Sequence, residues 1–339
     1  MTHEFKTLLQ VAHVWRVQGI TSVVATVVAL EGSSYRRPGV RMLIAETGEV
    51  FGAVSGGCVE KEIVLQAASV FKTETPKVIT YDGRFRLGCE GVLYILIEPM
   101  VVTDGLLQVA QTCFEKRIHF QTRSFFKSEF SESKAFGTVL EMAGKRYTLN
   151  PKFELSSALN LLEIFTQSFQ PIFQLYIFGA EHDAVQLCEL ASNIGWEVHI
   201  IAAPDEEKSI DYFKGAKSLT TPLIQDIDTS GIGEHSAAVL MSHSLNKDVQ
   251  YLMALHKTKP AYLGVLGSSK RRERLFSEVM NHVPDFSFQF LESIHGPAGL
   301  HLGAETPAEI ALSIIAEILS VTRNVAVQPL REKLGAIHD

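Results

Sequence analysis

The chain has 339 residues, a hydrophobic fraction of 46% and a formal net charge of -7. This make-up supports a large core and two domains, and it excludes a general nucleic-acid binder, which calls for a basic face. No apolar run reaches the roughly 18 residues of a membrane span, and the start MTHEFKTLLQ lacks the layout of a signal peptide, so the expectation is a cytoplasmic protein with no membrane partner.

In chain order, Phe5, Leu8, Leu9, Ala12 and Trp15 recur at helical spacing and predict a helix over 3–18, stopped by Gly19. The β-branched run 21–30 predicts a strand, after which Gly32 opens a loop carrying Tyr35, Arg36 and Arg37. Residues 42–45 and 50–54 predict a hairpin around Thr47 and Gly48. Gly56 and Gly57 then let the backbone approach a ligand just before Cys58, which stands at the start of a helix predicted over 59–71. A helix N-terminus lowers a thiol pKa and favours the thiolate. Arg36, Arg37 and Arg41 add guanidinium groups suited to phosphate or carboxylate, so the segment predicts an anion clamp beside a thiol. Glu60, in the first helical turn, serves either the helix dipole or proton handling near a ligand. Cys89 is a second glycine-framed thiol ahead of a strand, whereas Cys113 and Cys188 lie in apolar helical stretches and are assigned to the core. The four cysteines form no C-x-x-C pair, which argues for free thiols over a structural zinc site.

Residues 116–150 alternate polar and aromatic residues and predict further strands of the same domain; 151–171 predict a helix and a crossing that ends at Pro171. The second domain opens on the strand LYIFG running into a turn and a helix, the pattern of a dinucleotide-binding unit. In the fingerprint positions stand Gly179, Glu181 and Ala184, and Ala202-Ala203-Pro204 replace the acidic residue after the second strand, so NAD(P) binding is doubtful. Strands at 237–241 and 262–266, each followed by a helix, complete a doubly wound sheet. Gly179 and His182, with Gly267 and Ser268 ahead of Arg271 and Arg272, form a second-tier nucleotide or anion site. Arg271 and Arg272 themselves are expected on the surface at a helix start. His295 and His301 flank a glycine-rich loop, and Thr306 caps a helix over 307–321. The fold expected is α/β: an N-terminal α/β domain over 1–170, a Rossmann-like domain over 171–325 and a C-terminal tail over 326–339.

The segments GSSYRRPGVRMLI, GAVSGGCVEKEI, LGCEGVLYILIEP, LYIFGAEHDA, YLGVLGSSKRRERL and GPAGLHLGAETPAEIALSIIAEI, in this order, resemble the XdhC/CoxI family of molybdenum-cofactor maturation proteins. The resemblance implies a non-catalytic chaperone that binds and protects the molybdenum cofactor, supports its sulfuration with a cysteine desulfurase, and delivers it to a xanthine dehydrogenase-type apo-enzyme, as a homodimer. Cys58 and Cys89 match the two family cysteines, Cys58 as a possible ligand to the cofactor's molybdenum, and Arg36, Arg37 and Arg41 fall in the loop that would take the pterin phosphate. Glu90 and Glu181 depart from the family's glycines. The alternatives are an NAD(P)-dependent oxidoreductase and a ligand-free scaffold for the dehydrogenase or the desulfurase.

Overall fold

The computed structural model describes residues 1–32, 37–55, 57–83, 91–154, 161–282 and 287–333, with the side chain of Cys58 outside that description. The chain divides into two compact units, one comprising Met1–Pro171 with Pro329–Asp339, the other Ile172–Gln328.

The first unit runs α1 (Thr2–Val17), β1 (Ser22–Glu31), β2 (Arg41–Ala45), β3 (Val50–Gly52), α2 (Cys58–Thr73), β4 (Lys77–Asp82), β5 (Val92–Pro99), α3 (Asp104–Glu115), β6 (Phe120–Phe126), β7 (Ser131–Glu132), β8 (Gly137–Met142), β9 (Lys145–Thr148) and β10 (Glu163–Phe169). Its six-stranded sheet has the order β3-β2-β1-β5-β4-β7, and a second sheet the order β10-β6-β8-β9. Strand alternation sorts the six-stranded sheet into two faces. Val23, Ala25, Met42, Ile44 and Ile95 pack against Val59, Ile63 and Ala67 of α2. Val24 and Leu43 on the opposite face meet Phe5 and Leu8 of α1, Leu106 of α3, and Phe120 and Phe169 of the second sheet.

The helix expected within 151–171 is corrected for its second half: Glu163–Phe169 is a strand, paired antiparallel along its whole length with β6. Phe169 is enclosed against Phe5 and Phe120, and the ladder satisfies the backbone that a helix would have satisfied internally.

The second unit runs β11 (Gln174–Phe178), α4 (His182–Asn193), β12 (Glu197–Ile201), β13 (Ala216–Thr220), β14 (Ser236–Leu240), α5 (Leu245–Leu255), β15 (Tyr262–Val265), α6 (Ser269–His282), α7 (Phe288–Glu292) and α8 (Pro307–Arg323). The strands form one parallel sheet of order β13-β12-β11-β14-β15. One face packs on α4 and α8, the other on α5, α6 and α7. This is the doubly wound Rossmann arrangement expected from the sequence, with the strand order reversing between β11 and β14. Thr306 and Glu309 close α8 with a reciprocal capping box and Pro307 follows the cap. Among the described residues no helix is long and apolar enough to cross a membrane.

Candidate functional site

Helix α2 begins at Cys58, with Gly57 as its N-cap at φ 122. Among the described residues a side chain at Gly57 would meet nothing within 4 Å, so the glycine serves the backbone conformation. Glu60 fixes this turn. Its two carboxylate oxygens accept from the Ser55 N–H at 2.6 Å and the Ser55 hydroxyl at 2.7 Å, while the Gly57 N–H donates to that hydroxyl. Partial burial opposes the charge, but the hydrogen bonds from Ser55 and from backbone N–H groups outweigh it and hold the carboxyl below its ordinary range. The carboxylate is therefore ionised and occupied, which favours a loop-holding role for Glu60 over proton handling.

The sequence groups Arg41 with this thiol, whose side chain lies outside the described residues. Arg41 pairs across the sheet with Thr26, one position out of phase with Met42, and so lies on the face opposite α2. Its guanidinium donates to the Gly39 carbonyl, to Gln167 Oε1 and to Thr122 Oγ1, and stands over the rings of Phe5 and Phe169 at 5.0 and 5.6 Å. Burial pushes its pKa down to about 10, with Glu98 pulling the other way. Arg37 is exposed. Arg36, Gly56, Cys89 and the thiol of Cys58 lie outside the described residues. Cys113 and Cys188 are buried, and enclosure raises both thiols, Cys188 to about 11, so they remain protonated core residues.

In the second unit the C-terminal ends of β11 and β14 meet at the switch point, where open α/β sheets take ligands. Gly179, at φ 137, is required there because a Cβ would fall 2.6 Å from the Met241 carbonyl oxygen. His182 is exposed as the first residue of α4. Gly267, at φ 128, is packed under the Arg271 side chain, and Ser268 accepts from the Arg271 N–H. Arg271 and Arg272 are expected on the surface, but both are drawn inward. Arg271 ion-pairs at 2.6 Å with Asp248, which is 1% exposed and also accepts from the Ser242 hydroxyl; Arg272 donates to the Gly296 carbonyl. Sequence reasoning missed Asp248, and its signal is a carboxylate on the apolar face of α5 beside Tyr251 and Leu252. It also missed Glu317, which accepts from the Tyr262 hydroxyl and the Gly299 N–H and pairs with His295 at 3.2 Å. His301 is exposed. No group of three or more potential metal ligands occurs among the described residues.

Comparison with known proteins gives two family matches, the XdhC and CoxI family over 15–82 and the XdhC Rossmann domain over 175–318. The chain is 28% identical to a Bacillus subtilis protein described as a probable subunit of xanthine dehydrogenase, over 90% of this chain and 94% of the relative. It is 26% identical to the molybdenum cofactor insertion chaperone PaoD of Escherichia coli, over 95% of this chain and 90% of that protein. A Bacillus halodurans crystal structure described as a xanthine dehydrogenase superposes with a TM-score of 0.75 at 25% identity, covering 96% of this chain and 98% of the other. With one match in each unit and relatives aligned over nearly the whole length, the chain belongs to the XdhC and CoxI family.

Proposed function

We propose that this protein holds the molybdenum cofactor as cargo and inserts it into an enzyme of the xanthine dehydrogenase type. The observation that carries the reading is the near full-length relationship to a molybdenum cofactor insertion chaperone. The local geometry is in keeping with it. Cys58 opens α2, where the helix dipole favours a thiolate, and Glu60 holds the preceding turn. Arg36, Arg37 and Cys89 belong to the same proposal as partners of the pterin phosphate and the metal end of the cargo. Sulfuration of the bound cofactor by a cysteine desulfurase, release to the apo-enzyme, a homodimer and a cytoplasmic setting complete it.

The test is expression in a host that makes the cofactor, followed by molybdenum content and pterin fluorescence of the purified protein. Wild type and Cys113→Ala should retain cofactor, and Cys58→Ala should lose most of it. Equal retention in both variants would remove Cys58 from the site, and wild type free of molybdenum and pterin would overturn the reading.

A further inference from the structure

The face of the six-stranded sheet opposite α2 carries a cleft of about 290 Å³ in the first unit. This is at the low end of the roughly 300–1,000 Å³ of small-molecule sites. Leu8, Phe51 and Ala53 give it apolar walls, Phe5 and Phe169 contribute rings, and Arg41 is the only cationic side chain among the described residues that line it.

Arg41 has been made ready for an anion. Three hydrogen bonds orient its guanidinium, through Gly39, Gln167 and Thr122. A guanidinium has five N–H donors, and Arg41 Nε is buried with no partner. The hydroxyl of Thr26, its cross-strand neighbour, is buried without a partner as well. Of the two carboxylates near the cleft, Glu4 is 63% exposed and pairs with the terminal amine at 3.5 Å. The other, Glu98, is committed to the N–H and hydroxyl of Thr138. Among the described residues no carboxylate pairs directly with this cation, which is stacked on two phenyl rings and has donors to spare; Glu98 acts on it only through space.

We infer that this cleft is a binding site for a small planar monoanion, an aromatic carboxylate or its equivalent, whose charge meets Arg41 and whose ring lies among Phe5, Phe169 and Leu8. One guanidinium matches the single charge and forked geometry of a carboxylate, whereas a phosphate dianion would call for a second cation, and the Met1 amine at the wall is already paired with Glu4. The parts of the Phe5 and Phe169 rings that reach the cleft favour a ring over an aliphatic chain. The cleft's own residues carry the inference, independently of the cofactor reading.

The experiment is calorimetric titration of the full-length protein with benzoate, 2-naphthoate, benzamide, cyclohexanecarboxylate and inorganic phosphate. The two aromatic carboxylates should bind saturably. Benzamide, with the ring but no charge, and cyclohexanecarboxylate, with the charge but no plane, should each bind at least roughly tenfold more weakly. Ala53→Leu fills the wall without touching the Arg41 hydrogen bonds and should weaken benzoate binding about tenfold or more at an unchanged melting temperature. Arg41→Gln should erase the preference for benzoate over benzamide, and if that variant does not fold, Ala53→Leu alone decides. Absence of saturable binding, equal affinity for benzoate and benzamide, displacement of benzoate by phosphate, or wild-type affinity in Ala53→Leu would each overturn the inference.

Discussion

Glu98 is fully enclosed on β5, with Thr138 of the second sheet donating both its N–H and its hydroxyl to the carboxylate. Burial raises its pKa from 4.5 to about 7, against the pull of those hydrogen bonds and of Arg41. A carboxyl whose folded pKa lies above its unfolded value contributes stability that is fully present below about pH 4.5 and is lost as pH rises through about 7. Glu98→Gln removes the ionisation while keeping an acceptor for Thr138. It should raise the melting temperature at pH 8 by about 4–8 °C, equivalent to roughly 2 kcal/mol, and the gain should shrink toward zero at pH 4.5. An equal shift at both pH values would show that packing, not charge, sets the effect. None of this was legible in the sequence, where Glu98 is one polar residue ending the run VLYILIEP. The same holds for Arg41: residues 42–45 are all apolar, so alternation gave no sign of which face the arginine would take.

At the scale of elements, the turn into α2 is tied by one carboxylate to one serine. Ser55→Ala removes the hydroxyl that donates to Glu60 and accepts from Gly57, and should cost about 1 kcal/mol. Hydrogen exchange should quicken at the Gly57 amide and stay unchanged in α8, whose capping box is independent of it. Unchanged exchange at Gly57 would mean that the turn is held by its backbone alone. The start of α2 was readable beforehand because glycine, cysteine and an acidic first turn carry a local signal. Two strands were not. Ala216–Thr220 has the sequence AKSLT, whose single large apolar residue leaves no pattern, and only its pairing with β12 makes it a strand. Glu163–Phe169 takes its conformation from β6, a partner more than thirty residues away.

For the whole molecule, the alternation of strands and helices after residue 171 made the parallel sheet predictable, and the fold follows that reading. Binding chemistry is a separate matter. Glu181 occupies the N-cap of α4 at the switch point, and Ala202 follows β12 where a ribose-binding carboxylate would stand. A pyrophosphate there would face a carboxylate at the helix start. Titration with NAD should give no dissociation constant tighter than about 100 μM, and a micromolar value, about -8 kcal/mol, would reverse this expectation. The same turn bears on how such sites are recognised and built. Gly179 has its absent side chain's place taken by the Met241 carbonyl, so the clearance it provides is spent on the sheet's own backbone before any nucleotide arrives. Such a glycine persists with or without a ligand, and a fingerprint search that scores it as ligand evidence is counting an internal steric constraint. An engineer wishing to install a dinucleotide site in this unit would leave Gly179 alone and begin at Glu181 and Ala202.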